Sequence, residues 1–185
     1  RGETIPIKVL ALRRDNFEGE IQLSVEGLPP GVRSSDARIE SNKNSALLML
    51  TADEDAAGWV GPLKVVGKAR IGDGEVVRQA RSGSVMWAIA DANNEAVLSR
   101  MVRDSFLGVS GKETAPITLA LAENKVWETS VAGKLSLPFK VTRRGEFNGN
   151  IKVKPAGLPV FDAAKEIELT SKTNTANWDV DLTQT

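Results

Sequence analysis

The chain has 185 residues, with 24 Lys and Arg balanced by 24 Asp and Glu, and no His, Cys or Tyr. That composition excludes the Cys and His ligand sets of zinc sites, thiol redox chemistry, disulfides, and every Ser–His or Cys–His nucleophile. A formal net charge of zero also lacks the basic excess with which nucleic-acid binders displace counterions.

The remaining composition describes a globular chain. Hydrophobic residues make up 41% and charged residues 26%, too apolar for disorder. No run approaches the ~20 apolar residues that span a bilayer. At roughly 150 residues per domain, the length accommodates one large domain or two small ones. The chain opens on Arg1, with neither a charged leader nor an apolar one, so a processed product or a piece of something longer is expected. A cysteine-free chain suits a reducing cytosol and equally an exported bacterial protein.

Along the chain, period-2 alternation is the dominant pattern. Ile5, Ile7, Val9 and Ala11 alternate with Pro6, Lys8 and Leu10, and Ile21, Leu23 and Val25 with Gln22, Ser24 and Glu26. Leu48 and Leu50 lie in the apolar run Ala46–Leu50, and Leu63, Val65 and Val66 lead into Lys68–Ile71. A further strand is expected from Glu75 to Arg81, running on to Trp87. Turn chemistry separates these runs at Gly27-Leu28-Pro29-Pro30-Gly31, Asn42-Lys43-Asn44 and Gly72-Asp73-Gly74, the last favouring a tight hairpin. Ala88–Arg103 holds the residues most permissive for helix, and one or two turns capped by Asp91 or Asn93 are expected there, as an excursion between strands. Met101–Val109 reads as a closing strand, and Ser110–Thr114 as a linker. Short strands punctuated every 8–12 residues predict an all-β fold of antiparallel sandwich type.

The most informative feature is a self-match. Arg13–Pro29 reads RRDNFEGEIQLSVEGLP and Arg143–Pro159 reads RRGEFNGNIKVKPAGLP, with 8 of 17 positions identical at an offset of 130 residues. The preceding strands match in pattern, Ile5, Ile7, Val9 and Ala11 against Leu135, Leu137, Phe139 and Val141, and Gly2 and Gly133 stand just before them. Downstream, Ile39 and Leu48–Thr51 are set against Ile167 and Val180–Thr183. Two copies of one fold follow. Phe17 and Phe147 are expected to plug the sandwich ends, and Gly19 and Gly149 to permit the turn that follows. The second copy has a leading strand, Ile117–Ala122 continued by Lys125–Val131, that the first lacks; the first continues through Gly58–Ala69 to Val109, for which the second has no counterpart.

The runs EGEIQLSVEGLPPGV, LLMLTADEDAAGWVGPLKVVGKA and VWETSVAGKLSLPFKVTRRGEFNGNIKVKPAGLP resemble the tandem bacterial immunoglobulin-like domains of planctomycete-type extracytoplasmic proteins, found with pre-peptidase C-terminal modules. The resemblance covers nearly the whole chain. It implies two tandem immunoglobulin-like antiparallel β-sandwiches: residues 1–110, without their first strand, and residues 115–185, without their last. It also implies export to the periplasm or cell surface, and a structural, spacer or protein-interaction role without catalytic residues or cofactors. The partners would be neighbouring domains or subunits, with no nucleic acid and no membrane insertion. The alternative is a carbohydrate-binding or accessory domain attached to an extracellular hydrolase. Trp59 and Val60 depart from the family pattern, standing in a turn where small residues or proline are expected.

Candidate sites are few. Asp53-Glu54-Asp55, and Asp179 with Asp181, offer the oxygens that Ca²⁺ requires, set against a reading as solvated loop and exposed strand face. Arg13-Arg14 and Arg143-Arg144 recur in both copies, as structural turn residues or else to salt-bridge, stack on an aromatic or meet a partner. Trp59, Trp87, Trp127 and Trp178 would have to be coplanar and exposed to stack on sugars, and only Trp59 is expected to be exposed. No pair of carboxylates and no nucleophile elbow marks a hydrolase.

Overall fold

The computed structural model describes residues 1–87, 98–123, 125–130, 133–155 and 165–182. Every regular element among them is a β-strand, and every strand pairing is antiparallel. The chain divides into two compact units, Arg1–Thr114 and Ala115–Thr185.

In the first unit, β1 (Thr4–Leu10) pairs with β5 (Ser45–Ala52), which pairs in turn with β3 (Val32–Ser34). A second sheet runs β10 (Ser105–Val109), β6 (Trp59–Ile71), β2 (Ile21–Glu26), β4 (Ala37–Ile39), with β7 (Gly74–Gln79) also on β6. The alternation seen in the sequence decides which faces meet. Val9, Leu48 and Leu50 from one sheet and Leu23, Ile39, Leu63 and Leu107 from the other form a single buried cluster. Each such side chain contributes ~1.5–3 kcal/mol on leaving water, so the shared core is what holds the two sheets face to face. At the turn after β2, Gly27 takes a φ of 85°, and a Cβ there would lie 2.8 Å from the Pro62 carbonyl oxygen, so both dihedral and space require glycine.

The 6–7 hairpin closes as expected on Gly72-Asp73, with Ile71 paired to Gly74. Other boundaries differ from expectation. The run expected to extend from Glu75 to Trp87 is two strands, β7 and β8 (Ser82–Trp87), because β7 pairs with β6 whereas β8 pairs with β9 (Leu98–Val102). Met101–Val109 is likewise split, the end of β9 and the whole of β10, with Arg103-Asp104 between them. Leu98–Val102 is therefore strand rather than helix; the rest of the expected helical excursion, at residues 88–97, lies outside the described residues. Trp59 and Val60 open β6, paired with Val109 and Gly108, and do not form a turn.

The second unit holds a sheet β11 (Ile117–Leu121), β12 (Lys134–Arg143), β15 (Thr175–Asp181), and a pair β13 (Ile151–Val153) and β14 (Ile167–Leu169). Phe139, Val141 and Leu169 form its buried cluster, with Ile117, Ile151, Ile167 and Trp178 packed against it. Residues 125–130 are not strand, so β11 is shorter than expected: Val126 is exposed and finds no strand to pair with. Val131, the Gly157-Leu158-Pro159 turn and Thr183 lie outside the described residues.

The two units share one frame. Ile5↔Leu50 and Ile7↔Leu48 in the first become Leu135↔Val180 and Leu137↔Trp178 in the second, each residue displaced by 130. Ile21↔Ile39 becomes Ile151↔Leu169 at the same displacement. The counterpart of Ile39 is thus Leu169, not Ile167, and that of Leu48 is Trp178, not Val180. A slip of two residues keeps a side chain on its face, so alternation alone could not choose between these alignments.

Candidate functional site

The recurrent Arg-Arg turns form the most organised polar feature in either unit. Beyond β1 the chain stays paired, the Ala11 amide donating to the Asn44 carbonyl at 2.8 Å. Odd-numbered side chains here point between the sheets, so Arg13 points inward and Arg14 outward. The Arg13 guanidinium donates to carbonyls on two connections: to Gly19 through Nη1 at 2.7 Å, and more distantly to Phe17 at 3.4 Å, between β1 and β2, and to Lys43 through Nε at 2.8 Å and Glu40 through Nη2 at 3.0 Å between β4 and β5. Its planar fork suits several fixed acceptors at once, which an ammonium could not satisfy together.

Arg143 repeats the arrangement. Nη1 donates to Gly149 at 2.7 Å, Nη2 to Thr170 at 2.8 Å, and Nε to the Asn174 side-chain oxygen at 3.2 Å. Gly19 and Gly149, and Glu40 and Thr170, are again 130 apart. Each guanidinium carbon lies over an aromatic ring, Arg13 at 5.4 Å from the Phe17 centroid and Arg143 at 5.6 Å from that of Phe147. The following glycines make room for those rings: a Cβ on Gly19 would stand 2.8 Å from the Phe17 ring, and one on Gly149 3.2 Å from that of Phe147. Neither glycine has a positive φ, so their role is space rather than the turn conformation expected of them.

The second arginines diverge. Arg144 donates from Nη1 to the Ala115 carbonyl at 2.9 Å, and its amide donates to Pro116 at 2.8 Å, fastening the entry of β11. Arg14 is exposed; its carbonyl accepts from the Phe17 amide at 3.0 Å, and its side chain has no hydrogen-bond or ionic partner among the described residues. It borders two clefts in the first unit. One, of about 370 Å³, is framed by Arg13–Glu18 and Asn42. The other, of about 460 Å³, runs along the end of β1 and is lined by core residues including Val9, Ala11, Leu23, Ile39 and Val65.

The other candidates are dispersed. Trp59 is half-buried against the first core rather than exposed, its indole lying across Gly61, where a Cβ would come within 2.3 Å of the ring. The exposed apolar side chains nearby are Val60 and Phe106. Trp178 packs on Phe139 with ring centroids 6.4 Å apart, and Lys125 Nζ sits 4.1 Å over the Trp127 ring. Trp87 lies on β8, and its side chain is outside the described residues. Asp53 is ion-paired to Arg33, while its backbone carbonyl receives the Gly2 amide at 3.2 Å. Asp179 is exposed, and Asp181 pairs with Lys134 across the strands at 3.1 Å. No three carboxylates converge among the described residues, and no helix there is long and apolar enough to cross a membrane.

Sequence reasoning passed over Leu10 and Leu12. They are 69% and 90% exposed, and both stand on the outward parity of β1 and its extension. The signal was present in the alternation, which leaves leucines where lysine and threonine stand in the second copy. Compared with protein-family models, curated proteins and solved structures, the chain matches none of them.

Proposed function

We propose that the chain is a pair of tandem immunoglobulin-like β-sandwiches serving as a non-catalytic structural, spacer or protein-interaction module of a large exported bacterial protein. The observation that carries this reading is the shared frame. Two units keep the same cross-strand register and the same guanidinium clamp at one displacement of 130 residues, although most residues between them differ. The most organised polar side chains of the molecule are used up in holding connections together, as a load-carrying or scaffolding element requires. Two of the tryptophans, Trp59 and Trp178, are packed into the cores, which favours this reading over a sugar-stacking platform.

The test is mechanical. Held between handles at its ends, the chain is expected to unfold in two separate force steps, one for Arg1–Thr114 and one for Ala115–Thr185. At ~3.3–3.6 Å per residue these release about 350–400 Å and about 200–250 Å. Extension without resisting steps would overturn the structural role. Turnover of any substrate in a broad hydrolase panel would overturn the non-catalytic one, and binding on a glycan array would replace it with the carbohydrate alternative. In its native cell, protease added outside intact cells should remove the chain's epitope.

A further inference from the structure

We propose that Asn148-Gly149 is a site of spontaneous covalent modification, at which Asn148 converts to aspartate and isoaspartate and thereby loosens the Arg143 clamp of the second unit alone. This lies beyond the module reading and does not depend on it.

Asn148-Gly149 is the one Asn-Gly pair in the chain. The reaction needs the backbone nitrogen after an asparagine to reach that asparagine's side-chain carbonyl. Glycine, with no Cβ, leaves its nitrogen unshielded and its dihedrals free. Nothing in the fold holds these atoms elsewhere. Asn148 and Gly149 are both exposed, and among the described residues neither the Asn148 side chain nor the Gly149 amide has a hydrogen-bond partner. In the first unit the counterpart carbonyl, that of Glu18, receives the Asn42 amide at 3.0 Å; the Asn148 carbonyl receives no such bond among the described residues.

Other asparagines are restrained where Asn148 is not. After Asn16 and Asn42 the next amide is already donated, Phe17 to the Arg14 carbonyl and Lys43 to the Glu40 carbonyl, each at 3.0 Å. The Asn150 side chain is held by Glu168 at 3.1 Å, and that of Asn174 by Arg143 at 3.2 Å.

The step balances without any oxidant or reductant. The Gly149 nitrogen adds to the Asn148 side-chain carbonyl carbon and a C–N bond forms. The bond to Nδ2 breaks, and that nitrogen leaves as ammonia with the proton lost from the Gly149 amide. Water then opens the five-membered imide. Attack on the side-chain carbonyl gives aspartate, and attack on the main-chain carbonyl gives isoaspartate, whose backbone runs through Cβ.

Isoaspartate thus adds one backbone bond immediately before Gly149, whose carbonyl accepts from Arg143 Nη1 at 2.7 Å. That bond is about 1.5 Å long, whereas the usual span of an N–H···O distance is only ~0.5 Å. The acceptor therefore leaves the guanidinium's reach. The first unit carries Glu18 at the counterpart position, with no amide nitrogen to expel, so its clamp is spared.

The test ages the whole 185-residue chain in mildly alkaline buffer, well below its melt, and follows its tryptic peptides by mass spectrometry. The Gly145–Lys152 peptide is expected to gain about 1 Da and to split into two chromatographic isomers, one of them methylated by an isoaspartate methyltransferase. It should react at least about tenfold faster than any other asparagine, a barrier lower by about 1.4 kcal/mol. Because no hydrogen bond has to open first, the folded chain should react within about tenfold of the free Gly145–Lys152 peptide. After conversion, amide exchange in residues 134–182 should quicken about fivefold, for one charge-assisted hydrogen bond lost where water reaches it, while residues 1–52 stay unchanged. Asn148→Gln should keep its fresh exchange rate after the same ageing. Asn148→Asp carries the charge with the backbone length unaltered, and when fresh should exchange as fresh wild type does. A smaller lead over the other asparagines, or a rate more than about tenfold below that of the peptide, would overturn the modification site. Isoaspartate at Asn148 with unchanged exchange, or equal quickening in fresh Asn148→Asp, would overturn its link to the clamp.

Discussion

Arg13→Ala isolates what the clamp contributes. The side chain makes three hydrogen bonds of 2.7–3.0 Å to carbonyls of Gly19, Glu40 and Lys43, and lies on the Phe17 ring. A hydrogen bond to a charged group is worth ~1.5–3 kcal/mol net, but Arg13 is half-buried and water reaches the vacated acceptors, so about 1 kcal/mol per bond is appropriate. With ~0.5–1 kcal/mol for the ring, the loss is about 3–4 kcal/mol. For a urea dependence of ~2 kcal/mol per M, the unfolding midpoint of the first unit should fall by about 1.5–2 M. Pulse-labelled hydrogen exchange along a urea series reads residues 1–52 separately from 134–182, so the second unit serves as an internal control. Arg14→Ala, one residue away and with no partner to its side chain among the described residues, should shift the midpoint by less than ~0.5 kcal/mol equivalent. Arg13→Lys should recover no more than about a third of the loss, because one ammonium cannot reach three divergent carbonyls. If Arg13→Ala and Arg14→Ala give the same midpoint, the guanidinium does not tie the connections and the clamp argument is refuted.

Three other variants probe separate links. Gly19→Ala should cost about 1–2 kcal/mol by driving the Phe17 ring off the guanidinium, and Gly149→Ala less, since the counterpart approach is 3.2 Å rather than 2.8 Å; thermal melts of the two would rank them. Gly72→Ala has open space around it but a φ of 59°, so calorimetry should show a cost of about 1 kcal/mol that is purely conformational. Leu48→Ala, at 0% exposure, should destabilise the first unit by about 2–5 kcal/mol in the same urea series, while Leu12→Ala, at 90% exposure, should leave it within ~0.5 kcal/mol.

Alternation, turn residues and the Arg-Arg self-match together make the all-β character, the repeat and the 71–74 hairpin legible in the sequence. What was not legible has physical causes. Ile167 and Leu169 lie two apart on one face, so periodicity could not say which of them answers Ile39; only the cross-strand ladder does. Flanking glycines suggest a turn at Trp59, yet Gly61 is glycine to admit the indole lying across it within β6. Val126 and Trp127 suggest a strand continuation, but a strand needs a neighbour and residues 125–130 have none among the described residues. The recurrence of Arg-Arg marks the turn without disclosing the clamp, because a side chain reaching carbonyls 27 and 30 residues away leaves no periodic trace.

The clamp also behaves as a length gauge. Because one rigid guanidinium must meet carbonyls on two connections, the lengths of those connections are set by its reach, and both units keep the same spacing although most of the sequence between those strands has changed. Change of residue is cheap there and change of count is not. A single added residue between Glu40 and Lys43 would pull an acceptor out of register, whereas the Gly72-Asp73 tip, with nothing anchored to it, is the place where a tag or a foreign loop should be accepted without loss of the fold.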